Sequence, residues 1–209
     1  MMSISLKRMV ERVVTSSLEN KPYGLVLAGG QSRRFGRDKA LAIIAQEPNV
    51  LIAVKRLLPV CQQVIVVANK NNLVAIRNLV AKFERCQVIV DQPPYLGIGP
   101  LGGIYAGLSK FSPNQKVNLI ITAVDYPQLP PKVFQELVSH PQVYLADLVK
   151  AHYTLAHLIT SKAVITTWLA EHSRHRLQDF LKELACQPLT SPTNLVNCNY
   201  QRRIDNDQK

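Results

Sequence analysis

The chain has 209 residues, 47% of them hydrophobic and 19% charged, which suits a buried core and the ordinary size of one α/β domain. Its formal net charge of +11 points to an anionic partner,. The basic clusters, at 7–12, 33–39 and 202–203, are dispersed, so a nucleic acid, a polyphosphate or phosphorylated metabolite, and a plain solvated surface all fit, although no nucleic-acid-binding signature accompanies them.

In chain order, residues 1–21 carry mixed charge with no apolar signal-peptide core,, and read as an extension that can form a short amphipathic helix. Apolar runs at 23–28, 63–68, 87–90 and 117–124, rich in Val and Ile, predict buried strands. Between them, 51–58, 73–83 and 101–110 have helical patterning. Alternating strands and helices imply βαβ units, a mostly parallel sheet and ligands at the strand C-terminal edge. Further on, 132–139, 162–171 and 177–184 predict helices. Segments 142–149 and 153–159 predict strands, paired as a hairpin or a mixed pair, and 194–197 a late strand. The expected architecture is a Rossmann-like three-layer α/β/α unit over 22–209 with a less regular C-terminal portion. No apolar run approaches the ~18–20 residues of a membrane-spanning helix. Cys61, Cys86, Cys186 and Cys198 form no CxxC pair or metal-ligand pattern; the reading is reduced thiols in a cytoplasmic protein.

The chemistry concentrates in GLVLAGGQSRRFGRDKAL, residues 24–41. Leu27, Ala28, Gly29 and Gly30 follow the first strand directly, where glycine lets the backbone approach a ligand and successive N–H groups hold anionic oxygens. Arg33, Arg34, Arg37 and Lys39 add positive charge suited to a di- or triphosphate,. The stretch is neither a Walker A loop, since Ala40 follows Lys39, nor a dinucleotide fingerprint,. Asp125 and Asp91 each follow an apolar strand. Asp125 is the candidate magnesium ligand, a hard carboxylate that works together with substrate phosphates; as a turn former it also suits its place before Tyr126-Pro127. Gly102 and Gly103 permit either a ligand approach or tight helix–sheet packing.

The stretch resembles the LAGGxSxRMGxDKAL signature of the MobA-like nucleotidyltransferases, with Phe35 where Met is usual. GPLGGIYAGL after Asp91 resembles the family's GPLxGIxxGL, TAVDYPQLP its CDxPxLP, and NLVNCN its late NxN. The resemblance covers roughly residues 22–200. It implies the nucleotide-diphospho-sugar transferase fold and transfer of a nucleoside monophosphate from an NTP to an acceptor phosphate, with release of pyrophosphate. The best-known members imply GTP, Mg2+ and molybdenum-molybdopterin as acceptor, with a molybdenum-insertion protein and molybdoenzyme chaperones as partners, and neither membrane nor nucleic acid. On this resemblance Arg34, Lys39 and Asp125 are the catalytic candidates. Leu27, Ala28, Gly29, Gly30, Lys39, Asn69, Asp91 and Asp125 bind the nucleotide and its metal. Asp91 either contacts the nucleotide or completes the metal site, and His152 belongs to the acceptor side.

The chain departs from the family at Val67, where Asn is frequent, at His152-Tyr153 in place of His-Pro, and at Val124 before Asp125. AQEPN also stands where the family turn usually carries Gly. Guanine and cytosine selectivity both remain open at this point, as do another phosphorylated acceptor and a nucleotide-binding protein without turnover.

Overall fold

A computed structural model describes residues 21–30, 38–191 and 195. Arg34 and the rest of 31–37, residues 1–20 of the extension, and Asn197 to Asn199 lie outside the described residues. Leu195 alone represents the predicted strand at 194–197.

Nine strands and six helices make up the described chain. The strands are β1 (Tyr23–Leu27), β2 (Ile43–Ile44), β3 (Glu47–Pro48), β4 (Gln63–Ala68), β5 (Cys86–Val90), β6 (Val117–Ala123), β7 (Val143–Ala146), β8 (Ala151–Thr160) and β9 (Gln187–Thr190). The helices are α1 (Asn49–Leu57), α2 (Leu73–Val80), α3 (Pro100–Leu108), α4 (Lys132–Ser139), α5 (Lys162–Glu171) and α6 (Leu177–Glu183). Seven strands form one sheet in the order β5-β4-β1-β6-β8-β7-β9. The pairs β5–β4, β4–β1, β1–β6 and β7–β9 are parallel, and β8 runs against both neighbours. β8 is thus the one strand of this sheet that opposes the other six, and the C-terminal ends of β1, β4, β5 and β6 share one edge.

Both faces of the sheet are covered, which is why its central strands read as continuous apolar runs rather than alternating ones. On one face Leu25, Ile65, Val67, Leu119 and Ile121 pack with α3, α5 and α6, including Ile104, Trp168 and Phe180. On the other, Val26, Val64, Val66 and Ile120 pack with α1, α2 and α4, including Val54, Ile76 and Phe134. Successive residues of a strand go to opposite clusters, as period-2 geometry requires. α3 approaches β1 closely: a Cβ on Gly103 would stand 2.6 Å from Leu27 Cδ2, and one on Gly102 would stand 2.6 Å from the Tyr95 carbonyl oxygen. Helix–sheet packing therefore accounts for Gly103, and the close pass of the loop that enters α3 for Gly102.

β7 and β8 form the antiparallel hairpin that was one of the two expected pairings, with a register shift between Tyr144 and Leu145. They join the main sheet, so the C-terminal part is more regular than its sequence suggests. Two elements are absent from the sequence reading. β9 contains Pro188 and little apolar pattern; it pairs at the sheet edge, where a missing N–H is tolerated. The β2–β3 hairpin turns through Ala45 at φ 48° and Gln46 at φ 65°, with no Asn-Gly signal to announce it. His157, inside β8, is fully buried, with Nδ1 2.6 Å from the Leu137 carbonyl.

Left-handed backbone at two consecutive non-glycine residues costs stability. Ala45→Asn combined with Gln46→Gly is expected to stabilise the protein by about 1 kcal/mol in chemical denaturation. An unchanged or lower stability would contradict this reading of the turn.

Candidate functional site

The C-terminal edge of the sheet is organised around β1. Leu27 is in register with Val67 of β4 and with Ala123 of β6. The Ala28 amide continues the ladder to the Val67 carbonyl at 2.9 Å, and the Val124 amide reaches the Leu27 carbonyl at 3.4 Å. The chain then enters Gly29 and Gly30. A Cβ on Gly29 would stand 3.3 Å from the Ala68 carbonyl oxygen, so the close pass of this loop over the end of β4 favours glycine. Val67 itself is buried against the α3 face; the position where the family frequently has Asn serves packing here.

Two asparagines at the start of α2 hold the loop. Asn72, 1% exposed, donates from Nδ2 to the Ala28 carbonyl at 2.9 Å and to Asp38 Oδ2 at 2.8 Å. Its Oδ1 accepts from the Asn69 amide at 2.9 Å. Asn69 Oδ1 accepts from the amides of Asn71 and Asn72, and its Nδ2 donates to the Gly29 carbonyl at 3.3 Å. Asn69 is thus at the predicted edge, with its amide engaged in the loop and the helix start. The other oxygen of Asp38 accepts from the Ala40 amide at 2.9 Å, and buried Asn49 donates to the Lys39 carbonyl at 3.3 Å. The backbone of Lys39 is therefore bracketed on both sides.

Lys39 Nζ is 2.9 Å from Asp125 Oδ1. The two side chains are 13% and 24% exposed, enclosed enough for their charges to be felt strongly and open enough for a ligand to reach. Arg56 of α1 supports the Asp125 loop from below, its Nη1 donating to the Tyr126 carbonyl at 2.9 Å and its Nη2 to the Pro127 carbonyl. Leu27, Ala28, Gly29, Gly30, Lys39, Asn69 and Asp125 therefore converge at the ends of β1, β4 and β6. Among the described residues no group of three or more His, Cys, Asp or Glu side chains gathers as a metal site. Asp125 offers one hard, partly exposed carboxylate, which suits Mg2+ carried in with substrate phosphates.

Asp91 follows β5, whose end is separated from that of β6 by β4 and β1, about 14 Å at the usual strand spacing. Its carboxylate accepts from the Gly97 amide at 3.4 Å and stands 3.6 Å from where a Gly102 Cβ would be. It therefore belongs to the loop that enters α3, where Gly99 at φ 85° precedes Pro100 at the first helical turn. The N-terminus of α3, with its positive dipole end, opens on this same edge. Burial raises the Asp91 carboxyl above its ordinary value, with the Gly97 amide opposing.

His152 is on β8 and 2% exposed. It bonds Tyr126 and Asp147 instead of facing open space on the acceptor side. Burial pushes the thiols of Cys61 and Cys186 up to about 12 and that of Cys86 up to about 11, so all three are protonated and unreactive near neutrality. Asn49, Arg56, Asn72, Tyr126 and Asp147 escaped the sequence reading. Asn49 and Asn72 each left a signal, an asparagine just before a periodic apolar helix,.

A carboxyl raised in the folded state loses stability as pH climbs from about 3.9 through its folded value. Asp91→Asn is expected to raise the thermal midpoint at about pH 7 and leave it unchanged near pH 3, where the wild-type group is protonated in both states. A variant less stable than wild type at neutral pH would contradict the assigned burial cost.

Comparison with known proteins bears on the family and the fold. The chain is 36% identical over 134 residues to a molybdenum cofactor guanylyltransferase of Rhodobacter capsulatus, a match spanning 64% of this chain and 66% of the relative, just under two thirds of its length. The solved molybdopterin-guanine dinucleotide biosynthesis protein A of Archaeoglobus fulgidus superposes with a TM-score of 0.55 at 19% identity, over 81% of this chain and 83% of that one. A 4-diphosphocytidyl-2C-methyl-D-erythritolsynthase from Anaerococcus prevotii gives 0.66 at 11% identity, over 97% and 99%. These two share the fold, the three-layer α/β type of the nucleotide-diphospho-sugar transferases. With residues 24–188 matching the MobA-like NTP transferase domain, the chain belongs to the MobA-like NTP transferase family.

Proposed function

We propose that the protein transfers GMP from GTP to the terminal phosphate of molybdenum-molybdopterin, giving the guanine dinucleotide cofactor and pyrophosphate. The observation that carries this reading is the Lys39–Asp125 pair across the ends of β1 and β6, a cation for phosphate beside a carboxylate for a metal ion. The guanylyltransferase relative from Rhodobacter capsulatus supports the choice of base and acceptor.

In this mechanism an oxygen of the acceptor phosphate attacks the α-phosphorus of GTP, the new P–O bond forms, and the bond to the β-phosphate breaks. The acceptor is already an anion, so no general base is required; the protein supplies position and charge. Lys39 neutralises the triphosphate and the charge developing on pyrophosphate. Arg34, in the glycine-basic loop, adds a second cation. Leu27, Ala28, Gly29 and Gly30 bring backbone to the phosphates. Asn69 and Asp91 line the nucleotide side. Asp125 would hold Mg2+, which would supply positive charge to offset that of the phosphates.

The working unit in this reading is the domain over 22–209, preceded by the extension. Molybdenum-insertion and molybdoenzyme-chaperone proteins are its expected contacts, in the cytoplasm. No helix among the described residues is long and apolar enough to cross a membrane.

Isothermal titration with GTP, CTP and ATP, with and without magnesium, tests the proposal. Magnesium-dependent binding of GTP, with the others weaker by about tenfold or more, is expected; a tenfold preference corresponds to about 1.4 kcal/mol. Preference for CTP would replace guanylyl by cytidylyl transfer, and no binding by the folded protein would overturn the reading. Lys39→Ala and Asp125→Ala are each expected to lower kcat/KM by about a hundredfold or more, a loss of ~3 kcal/mol. Near-normal turnover in either would remove the role assigned to that residue.

A further inference from the structure

Tyr126, next to Asp125, is held at both ends. Its carbonyl accepts from Arg56, as described above, and its ring is 6% exposed with the hydroxyl 3.1 Å from His152 Nδ1. The rings of Tyr126 and His152 meet edge to face, with centroids 5.5 Å apart. On the other side of the imidazole, Nε2 is 2.8 Å from Asp147 Oδ2, and the Asp147 side chain is 3% exposed. Asp147 is itself fixed. Its Oδ1 accepts from the amides of Val149 and Lys150, each at 2.8 Å, and its Oδ2 also accepts from the Leu195 amide at 3.1 Å. Burial alone would raise this carboxyl; the bonds from His152, Lys150, Val149 and Leu195 outweigh it and hold the group well below the usual carboxylate range,. With Nε2–H donating to an ionised Asp147, Nδ1 accepts from the Tyr126 hydroxyl, so the chain of donors runs Tyr126 to His152 to Asp147.

We infer that Tyr126, His152 and Asp147 are positioning residues that fix the Asp125 carboxylate at the sheet edge, by anchoring the residue next to it to the turn between β7 and β8. The role for Asp125 rests on the transferase reading above, but the anchoring does not. The geometry favours it in three ways. The chain is buried throughout, so each lost partner leaves a polar group without solvent. It spans two strands of opposite direction, β8 beside β6, so the start of β8 lies beside the end of β6, where Asp125 follows. Its far end, Asp147, accepts from three backbone amides besides His152, which makes it a fixed post rather than a mobile side chain. The Leu195 amide is bonded to the same post.

The test uses the full chain and three variants. Tyr126→Phe removes only the hydroxyl, His152→Gln breaks the same link from the other side, and Tyr144→Phe is the comparison, a half-buried tyrosine on β7 outside the chain. Amide exchange at Tyr126, Gln128 and Leu129 is expected to quicken about fivefold in Tyr126→Phe and His152→Gln, the scale of one lost hydrogen bond. Tyr144→Phe should leave it unchanged. The gain in GTP affinity on adding magnesium, read by titration, is expected to fall about fivefold in the first two variants while affinity without magnesium holds. Unchanged exchange in both variants would overturn the anchoring, whatever the nucleotide does. Faster exchange with an intact magnesium gain would overturn its reach to Asp125. If the wild-type protein shows no magnesium-dependent GTP binding, the transferase reading fails, and exchange decides the anchoring by itself.

Discussion

The structure depends on the register of β1. By pairing in parallel with β4 and β6 at once, β1 aligns three strand ends and brings the glycine loop beside Asp125. A slip of one residue would turn Leu25 and Val26 to the wrong faces and carry Gly29 away from the end of β4. The two apolar clusters hold that register, because alternate residues of every central strand are committed to different helices.

Apolar packing brings the loops to one edge, and hydrogen bonds from buried polar groups set their conformation. Asn72 ties Ala28 to Asp38, Asn49 reaches the Lys39 carbonyl, and Arg56 grips two consecutive carbonyls after Asp125. None of these groups needs to touch a ligand. Their common effect is that an ammonium and a carboxylate meet at 2.9 Å with little conformational freedom left to lose, which is the condition for charge stabilisation without reorganisation. The raised carboxyl of Asp91 fits the same pattern: a charged group kept in a half-buried place at some expense to folding.

Much of this was legible in the sequence for a physical reason. Buried parallel strands are long apolar runs, and β1, β4 and β6 stood out as such; β5 was also legible as a strand, but at the sheet edge it is only half-buried rather than buried as expected. Glycine and lysine in the loop after β1, and aspartate after β5 and β6, announced the edge where ligands bind. What stayed hidden depends on tertiary partners. Arg56 reads as an ordinary solvated helix residue until the Tyr126 carbonyl is above it. The acceptor-side reading of His152 rests on the family resemblance, and nothing nearby in sequence shows that Asp147 and Tyr126 surround its ring. β9 was invisible because an edge strand with proline has no pattern of its own, and the β2–β3 turn because it reaches positive φ without glycine.

The central claim is that this edge moves a nucleoside monophosphate, and the position of the phosphorus label tests it most directly. GTP labelled at the α-phosphate, incubated with the protein, magnesium and molybdenum-molybdopterin, should deliver its label to the dinucleotide product with one pyrophosphate released per transfer, and GTP labelled at the γ-phosphate should deliver none. Label retained in GTP under conditions of saturating nucleotide, or transfer of the γ-phosphate to the acceptor, would contradict the account.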